Sequence, residues 1–226
     1  MNYIIIWMKS YFLFISLCLG TVVGIMWLYI LRDKMNVSKF AIPFISISNS
    51  IAGLICVKLF AVLENLGSPI FSGQSLYGAI FLLPIFYFIW SRVFQKDVKV
   101  TFDVLALCTI STLLFARLAC IVQGCCYGKY ITNFEPFRWP TRELEIVFYI
   151  ILLVYFFRVN KSNEKEGFVW PLYMIFYGIF RFIEEWMREG TSIIGPFHIS
   201  HIWSILSVII GIAIYTELNK GNQSKG

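Results

Sequence analysis

"VTFDVLALCTISTLLFARLACI", residues 100–121, is as long as a membrane-crossing helix yet carries an aspartate and an arginine. About 20 apolar residues carry a helix across a hydrocarbon core of roughly 30 Å. An ionised side chain at that depth costs about 2.5–3.5 kcal/mol even on the gentler insertion scales, so Asp103 and Arg117 need a reason to be there. Immediately behind the run stands "GCCYGKY", residues 124–130, with two cysteines and two glycines, and Cys120 lies one helical turn before it.

The rest of the chain agrees with a membrane setting. Of 226 residues, 58% are apolar, 18% aromatic and only 14% charged, whereas charged residues make up about a quarter of a soluble domain. The formal charge of +6 lies in short loops between apolar runs, where basic residues have a topological meaning, so no nucleic acid is expected as a partner. The first apolar stretch is as long as a full span and no small-residue cleavage site follows it, so it is expected to remain as a helix. The six cysteines show no paired zinc spacing, and neither a metal nor a disulfide framework follows from them.

Seven candidate spans are separated by polar punctuation: residues 11–31, 40–62, 70–90, 100–121, 144–157, 168–183 and 198–215. The fifth is short and is expected to begin within the preceding loop. The chain reads as a single polytopic all-α membrane domain, residues 1–226, in which residues 217–226 form a short polar cytoplasmic tail. One set of connections carries Arg32, Lys34, Lys39, Arg92, Lys96, Lys99, Arg158, Lys161, Lys165, Lys220 and Lys225; the other carries Lys9, Lys129, Arg138, Arg142 and Arg188. Eleven against five places the amino terminus outside and the carboxyl terminus in the cytoplasm. The cysteine loop and the Glu184–Arg188 cluster then face the outer leaflet.

Lys58, Asp103, Arg117 and Arg181 lie within or at the ends of spans. Lys58 and Asp103 are near enough to helix ends to snorkel toward water. Arg117 and Arg181 sit deeper, and each precedes further polar groups on the same side. In "YGIFRFIEEWMREG", residues 177–190, Arg181, Glu185 and Arg188 follow at i, i+4 and i+7 and share a face if the helix continues, with Glu184 and Trp186 pointing elsewhere. Such a stripe is either a self-satisfied ion-pair ladder or a set of guanidinium forks held ready for a phosphate. The cysteines of the loop are either small packing residues or thiols activated by Arg117 and Lys129.

Taken together, these segments resemble the prolipoprotein diacylglyceryl transferases, bacterial membrane enzymes of seven helices. "ARLACIVQGCCYG" stands where that family has G-R-x-G-N-F-x-N-G-E-x-x-G, keeping Arg117, Gly124 and Gly128. "WPTRELE" is similar to H-P-[ST]-Q-L-Y-E, "YGIFRFIEEWMRE" to Y-G-x-x-R-F-x-x-E-x-x-R, and "SGQSLYGAIF" to H-G-G-x-x-G. The resemblance implies transfer of the diacylglyceryl group of phosphatidylglycerol to the lipobox cysteine thiol of a membrane-anchored preprolipoprotein signal peptide, with release of glycerol-1-phosphate. It implies Arg117, Arg181 and Glu145 as catalytic residues. Arg117, Arg181, Tyr177, Glu185, Arg188, Gln74, Cys120 and Gly128 are implied as contacts to substrate. It also implies the cytoplasmic (inner) membrane of a bacterium, an active site toward the outer leaflet, and neither cofactor nor metal.

The departures from the pattern are specific. Ser72, Gly73 and Gln74 replace the family's histidine and glycine pair; Cys120 and Gln123 replace its asparagines; Cys125 replaces its glutamate; Leu144 replaces the tyrosine of the proline segment. His198 and His201, at the start of the seventh span, are the remaining candidates for a neutral-pH base or are interfacial side chains without a role. Two other readings stay open from sequence: a noncatalytic member that binds an anionic lipid or a secreted peptide, and an anion transporter.

Overall fold

The structure, a computed structural model, describes residues 2–64, 74–131, 137–161, 166–189 and 197–223, with side chains from residue 11 to residue 221. Its helices are α1 Asn2–Ile30, α2 Arg32–Met35, α3 Ala41–Glu64, α4 Tyr77–Phe81, α5 Leu83–Val93, α6 Val98–Gln123, α7 Thr141–Lys161, α8 Val169–Glu185 and α9 Ile199–Gln223. Among the described residues, two isolated bridges pair Gly128 with Arg188 and Tyr130 with Arg138.

Among the described residues four stretches are long and apolar enough to cross a membrane: Tyr11–Ile30, Ala41–Glu64, Val98–Gln123 and Ile199–Gly221. The other expected spans depart from that form for local reasons. The third expected span divides at Leu82 into α4 and α5, with Pro84 in the first turn of α5. Proline suits a helix start but cannot supply the amide a continuous helix needs. Its first residues, 70–73, lie outside the described residues. The fifth does begin in the preceding loop, at Thr141, and reaches 21 residues, but charged residues at both ends lower its hydropathy. The sixth, α8, has 17 residues.

Helix α6 is the hub, packed against α1, α3, α5, α7 and α8. The 18-residue apolar stretch within α6 is 61% buried, against 22% for those within α1 and α9, which places α1 and α9 at the periphery. Gly20 and Gly24 allow α1 to lie against α6 and α3, because a Cβ there would meet Thr112 Cα at 2.8 Å or Ser46 Oγ at 2.7 Å. Small residues at that spacing permit close helix approach where lipid offers no hydrophobic drive. On the outward faces Phe14, Leu19, Val22 and Met26 of α1 and Ile202, Ile205, Ile209 and Ile212 of α9 are exposed, an apolar girdle that suits lipid rather than water.

Asp103 does not snorkel. It is fully buried, and its carboxylate accepts hydrogen bonds from the backbone N–H groups of Gly167 (2.7 Å) and Val169 (2.9 Å). It thereby satisfies amides left unpaired where α8 begins, with the helix dipole favouring the negative charge. Asn160 Nδ2 donates to the Asp103 carbonyl at 2.9 Å, and Lys34 Nζ donates to the Asn160 carbonyl at 3.0 Å. This lock ties α2, α6, α7 and α8 at one end of the bundle, opposite the charged cluster around Arg117.

Candidate active site

The charged cluster assembles where α3, α6 and α8 end and α7 and α9 begin. A cavity of about 460 Å³ opens there, and its walls include Lys58, Glu64, Gln74, Tyr77, Arg117, Cys120, Cys125, Cys126, Tyr177, Arg181 and Arg188. Lys58, near the end of α3, is half-buried in the cavity wall. Gln74 is exposed into this region and Tyr177 is buried, its ring edge-on to Tyr77 with centroids 5.9 Å apart.

Glu145, on the first turns of α7 and 1% exposed, is the hub of the electrostatics. Its Oε2 pairs with Arg117 Nε from α6. Its Oε1 lies 3.7 Å from Arg181 Nη1 of α8 and 3.2 Å from Arg188 Nη1. One carboxylate thus gathers guanidinium groups from two distant helices and a following loop. Among the described residues, Glu145 is the one carboxylate within ion-pair distance of Arg117, and Arg117 also borders the cavity.

Arg181 is held more fully, by Glu184 Oε2 at 2.5 Å and Glu185 Oε2 at 2.8 Å. Glu184, outside the expected stripe, does not point elsewhere: it is buried and faces Arg181 and, at 3.7 Å, Arg188. An i, i+3 pair shares a helical face as an i, i+4 pair does, so both glutamates belong to the cluster. Arg188 also arrives by a different route from the expected one. Helix α8 ends at Glu185, and Arg188 is positioned by its bridge to Gly128, with Lys129 N donating to the Met187 carbonyl at 2.7 Å.

Gly128 lies in that strap rather than in the cavity wall. A Cβ there would meet the Trp139 carbonyl at 2.5 Å and the Met187 carbonyl at 2.9 Å, so its place in the motif is explained by backbone approach. His198 stands behind the cluster, with Nδ1 3.0 Å from Glu185 Oε1. His201 accepts a hydrogen bond at Nδ1 from the His198 backbone N–H at 3.0 Å and is enclosed by the rings of Phe182, Trp186 and Phe197. Both histidines are buried and neither borders the cavity. Ser72 and Gly73 lie outside the described residues.

The cysteine loop follows from the end of α6. Gly124, at φ 66°, closes the helix in a left-handed cap, and Cys125 N donates back to the Cys120 carbonyl at 3.2 Å. Cys126 then takes φ 60°, a conformation costing about 1–2 kcal/mol for a residue with a Cβ. Thr141 Oγ1 donates to its carbonyl at 3.2 Å, and the Arg142 guanidinium caps the turn from above the Tyr127 ring, 4.0 Å from its centroid. A hydrogen bond from Cys120 and the nearby charges of Arg117 and Arg188 outweigh burial and bring the Cys126 thiol down to about 5.

A second, apolar fissure of about 120 Å³ adjoins the charged cavity and shares Leu13, Gln74, Leu76, Leu113 and Ala116 with it. It runs between α1, α3 and α6 past Leu17, Leu54 and Val57 toward the bundle's middle. A guanidinium-lined chamber therefore continues into a greasy cleft, the division of polarity found in a phospholipid.

Comparison with known families agrees with this geometry. The family model described as prolipoprotein diacylglyceryl transferase matches residues 4–216. The chain belongs to that family. Among curated relatives, the phosphatidylglycerol–prolipoprotein diacylglyceryl transferase of Clostridium tetani (strain Massachusetts / E88) is 28% identical over 169 residues, 68% of this chain and 66% of the relative. That of Dehalococcoides mccartyi (strain ATCC BAA-2100 / JCM 16839 / KCTC 5957 / BAV1) is 27% identical over 235 residues, 93% of this chain and 90% of the relative. That of Lactococcus lactis subsp. lactis (strain IL1403) is 25% identical over 159 residues, 63% and 61%. As a diacylglyceryl transferase, the chain has its three arginines at a shared carboxylate and has three thiols where the family pattern has asparagine, glutamate and one unspecified residue.

Proposed function

We propose that this protein transfers the diacylglyceryl group of phosphatidylglycerol to the lipobox cysteine thiol of a membrane-anchored preprolipoprotein, forming a thioether and releasing glycerol-1-phosphate. The observation that carries the reading is the convergence of Arg117 and Arg181 on Glu145 at the wall of one cavity. In the reaction a C–S bond forms at the glyceryl carbon while the C–O bond to phosphate breaks, and the electron pair leaves on phosphate oxygen. Guanidinium groups already fixed by carboxylates stabilise that charge as it develops without reorganising. Glu145, Glu184 and Glu185 hold the forks in place, and Tyr177 closes the wall beside Arg181.

The apolar fissure beside the charged chamber receives the first methylene groups of a donor acyl chain, the rest of which stays in the bilayer, and both reactants arrive by diffusion within the membrane. In this reading the seven apolar segments all cross the membrane, α4 and α5 together forming one, with the amino terminus outside. The 11-to-5 distribution of basic residues supports that orientation and an active site at the outer leaflet of a bacterial inner membrane. The whole chain acts as one polytopic domain with a short cytoplasmic tail.

The test is reconstitution of the purified protein with phosphatidylglycerol and a lipobox peptide. Release of glycerol-1-phosphate together with a peptide heavier by one diacylglyceryl group is the expected result. Lipid binding without either product would overturn the transferase reading in favour of a binding role.

A further inference from the structure

Three thiols meet at the edge of the cavity. The Sγ atoms of Cys120, Cys125 and Cys126 lie within 4.8 Å of one another, Cys125 and Cys126 are 3.6 Å apart, and all three are free thiols. Spacing of the form C-x4-C-C gives no metal signal in sequence; the left-handed cap at Gly124 and the left-handed Cys126 fold the loop back over the last turn of α6 and create the cluster. All three border the cavity that Arg117, Arg181 and Arg188 line.

We propose that Cys120, Cys125 and Cys126 bind one zinc ion, whose fourth position opens into the cavity and takes the thiol of the acceptor cysteine. The identity of that fourth ligand rests on the transferase reading; the three-thiol site does not. Tetrahedral zinc with bonds of about 2.3 Å sets its sulfurs about 3.8 Å apart, so the cluster needs a contraction of about 1 Å at most. Thiolates select zinc over the hard cations of lipid headgroups. Among the described residues no fourth histidine, cysteine or carboxylate joins the group, and three protein ligands with an open position are the composition of a reactive zinc site rather than a structural one. Three thiolates and a divalent ion carry one net negative charge, which Arg117 and Arg188 in the same wall offset.

This arrangement supplies an acceptor deprotonation for which the cavity wall offers no histidine. A thiol that coordinates zinc gives up its proton, here to solvent at the cavity mouth. The coordinated sulfur then attacks the glyceryl carbon, the C–O bond breaks with its electron pair on the phosphate oxygen, and the thioether, a weak ligand, leaves the metal. No redox change occurs.

The test uses the purified full-length protein in detergent. Mass spectrometry of the metal after gel filtration in a zinc buffer is expected to find one zinc per chain. Cys120→Ser, Cys125→Ser and Cys126→Ser should each weaken binding more than about 100-fold, beyond what loss of an outer-shell partner costs, while Cys18→Ser leaves it unchanged. Cobalt in place of zinc should give a thiolate charge-transfer band and visible bands that a lipobox peptide perturbs and its serine analogue does not. Because a variant can misfold, alkylation mapped on the wild-type protein gives a second readout: zinc should shield these three cysteines, not Cys18, until a chelator is added. Absence of bound zinc, or alkylation indifferent to zinc, overturns the metal site. A cobalt spectrum blind to the peptide overturns the fourth-ligand assignment. Wild-type transfer by metal-free protein overturns the proposal and leaves the transferase reading standing, whereas bound zinc and a coordinated peptide without glycerol-1-phosphate release overturn the transferase reading alone.

Discussion

At the end of the bundle where α6 begins, Asp103 gives its two carboxylate oxygens to two backbone amides; at the end where α6 finishes, Glu145 gives its two to three arginines. Both carboxylates are almost wholly buried, and both lie in a chain built for lipid. The first is matched by partners that belong to the fold, and it encloses nothing. The second is matched by long side chains with donors to spare, and it stands at a cavity of about 460 Å³. Buried charge of the first kind fixes a helix start. Buried charge of the second kind gathers three arginines at a cavity wall, where the proposed reaction would use them.

The largest effect that separates the two ends is on turnover. Arg181→Ala and Arg117→Ala are each expected to lower transfer of diacylglyceryl to a lipobox peptide about 1000-fold, the upper range for loss of one charge-stabilising group. Asp103→Ala should leave the rate per folded molecule at the wild-type value. Equal losses from both ends would break the distinction.

Stability should show the reverse emphasis at Asp103. Removing its carboxylate strands two buried amides and is expected to cost about 3 kcal/mol, read as a lowered unfolding midpoint in detergent. Glu145→Gln, which leaves three arginines short of a partner, should cost about 3–5 kcal/mol and also reduce turnover. A stable but inactive Glu145→Gln would mean that the arginines find other anions, sharpening the view that the cluster is held apart for a ligand.

A smaller effect is expected in the strap that brings Arg188 to the site. Gly128→Ala must displace the Trp139 or Met187 backbone, at about 1–3 kcal/mol. Its loss of transfer should exceed that of any change in the outward face of α9, measured in the same peptide assay. An unchanged rate would show that Arg188 is positioned without Gly128.

Much of this was readable from residues alone, for identifiable reasons. Span-length apolar runs located α1, α3, α6 and α9, because hydrophobic length is imposed by the bilayer and not by neighbours. The family motifs brought Arg117, Glu145, Tyr177, Arg181, Glu185 and Arg188 to one end, where the structure assembles them. What hydropathy misses is where polar groups find partners. Asp103 looks like a snorkelling end-group until the start of α8, more than sixty residues away, is folded against it. Glu184 falls outside the i, i+4, i+7 stripe of α8, yet as an i, i+3 neighbour it reaches Arg181. Glu64 and Lys58 gave no motif, and their place in the cavity wall depends on how α3 packs. The three cysteines lacked a recognisable spacing because a helix cap, not a repeat, gathers them.

The central claim is that Arg117 and Arg181 grip one phosphate. Its most direct test is a thermodynamic cycle of phosphatidylglycerol binding to the wild type, Arg117→Ala, Arg181→Ala and the double variant in lipid nanodiscs. Shared engagement predicts coupled losses, the double variant binding more tightly than the two single losses added together would allow, by about 1–3 kcal/mol. Strict additivity, or binding indifferent to either change, would mean that the two guanidinium groups serve different ligands.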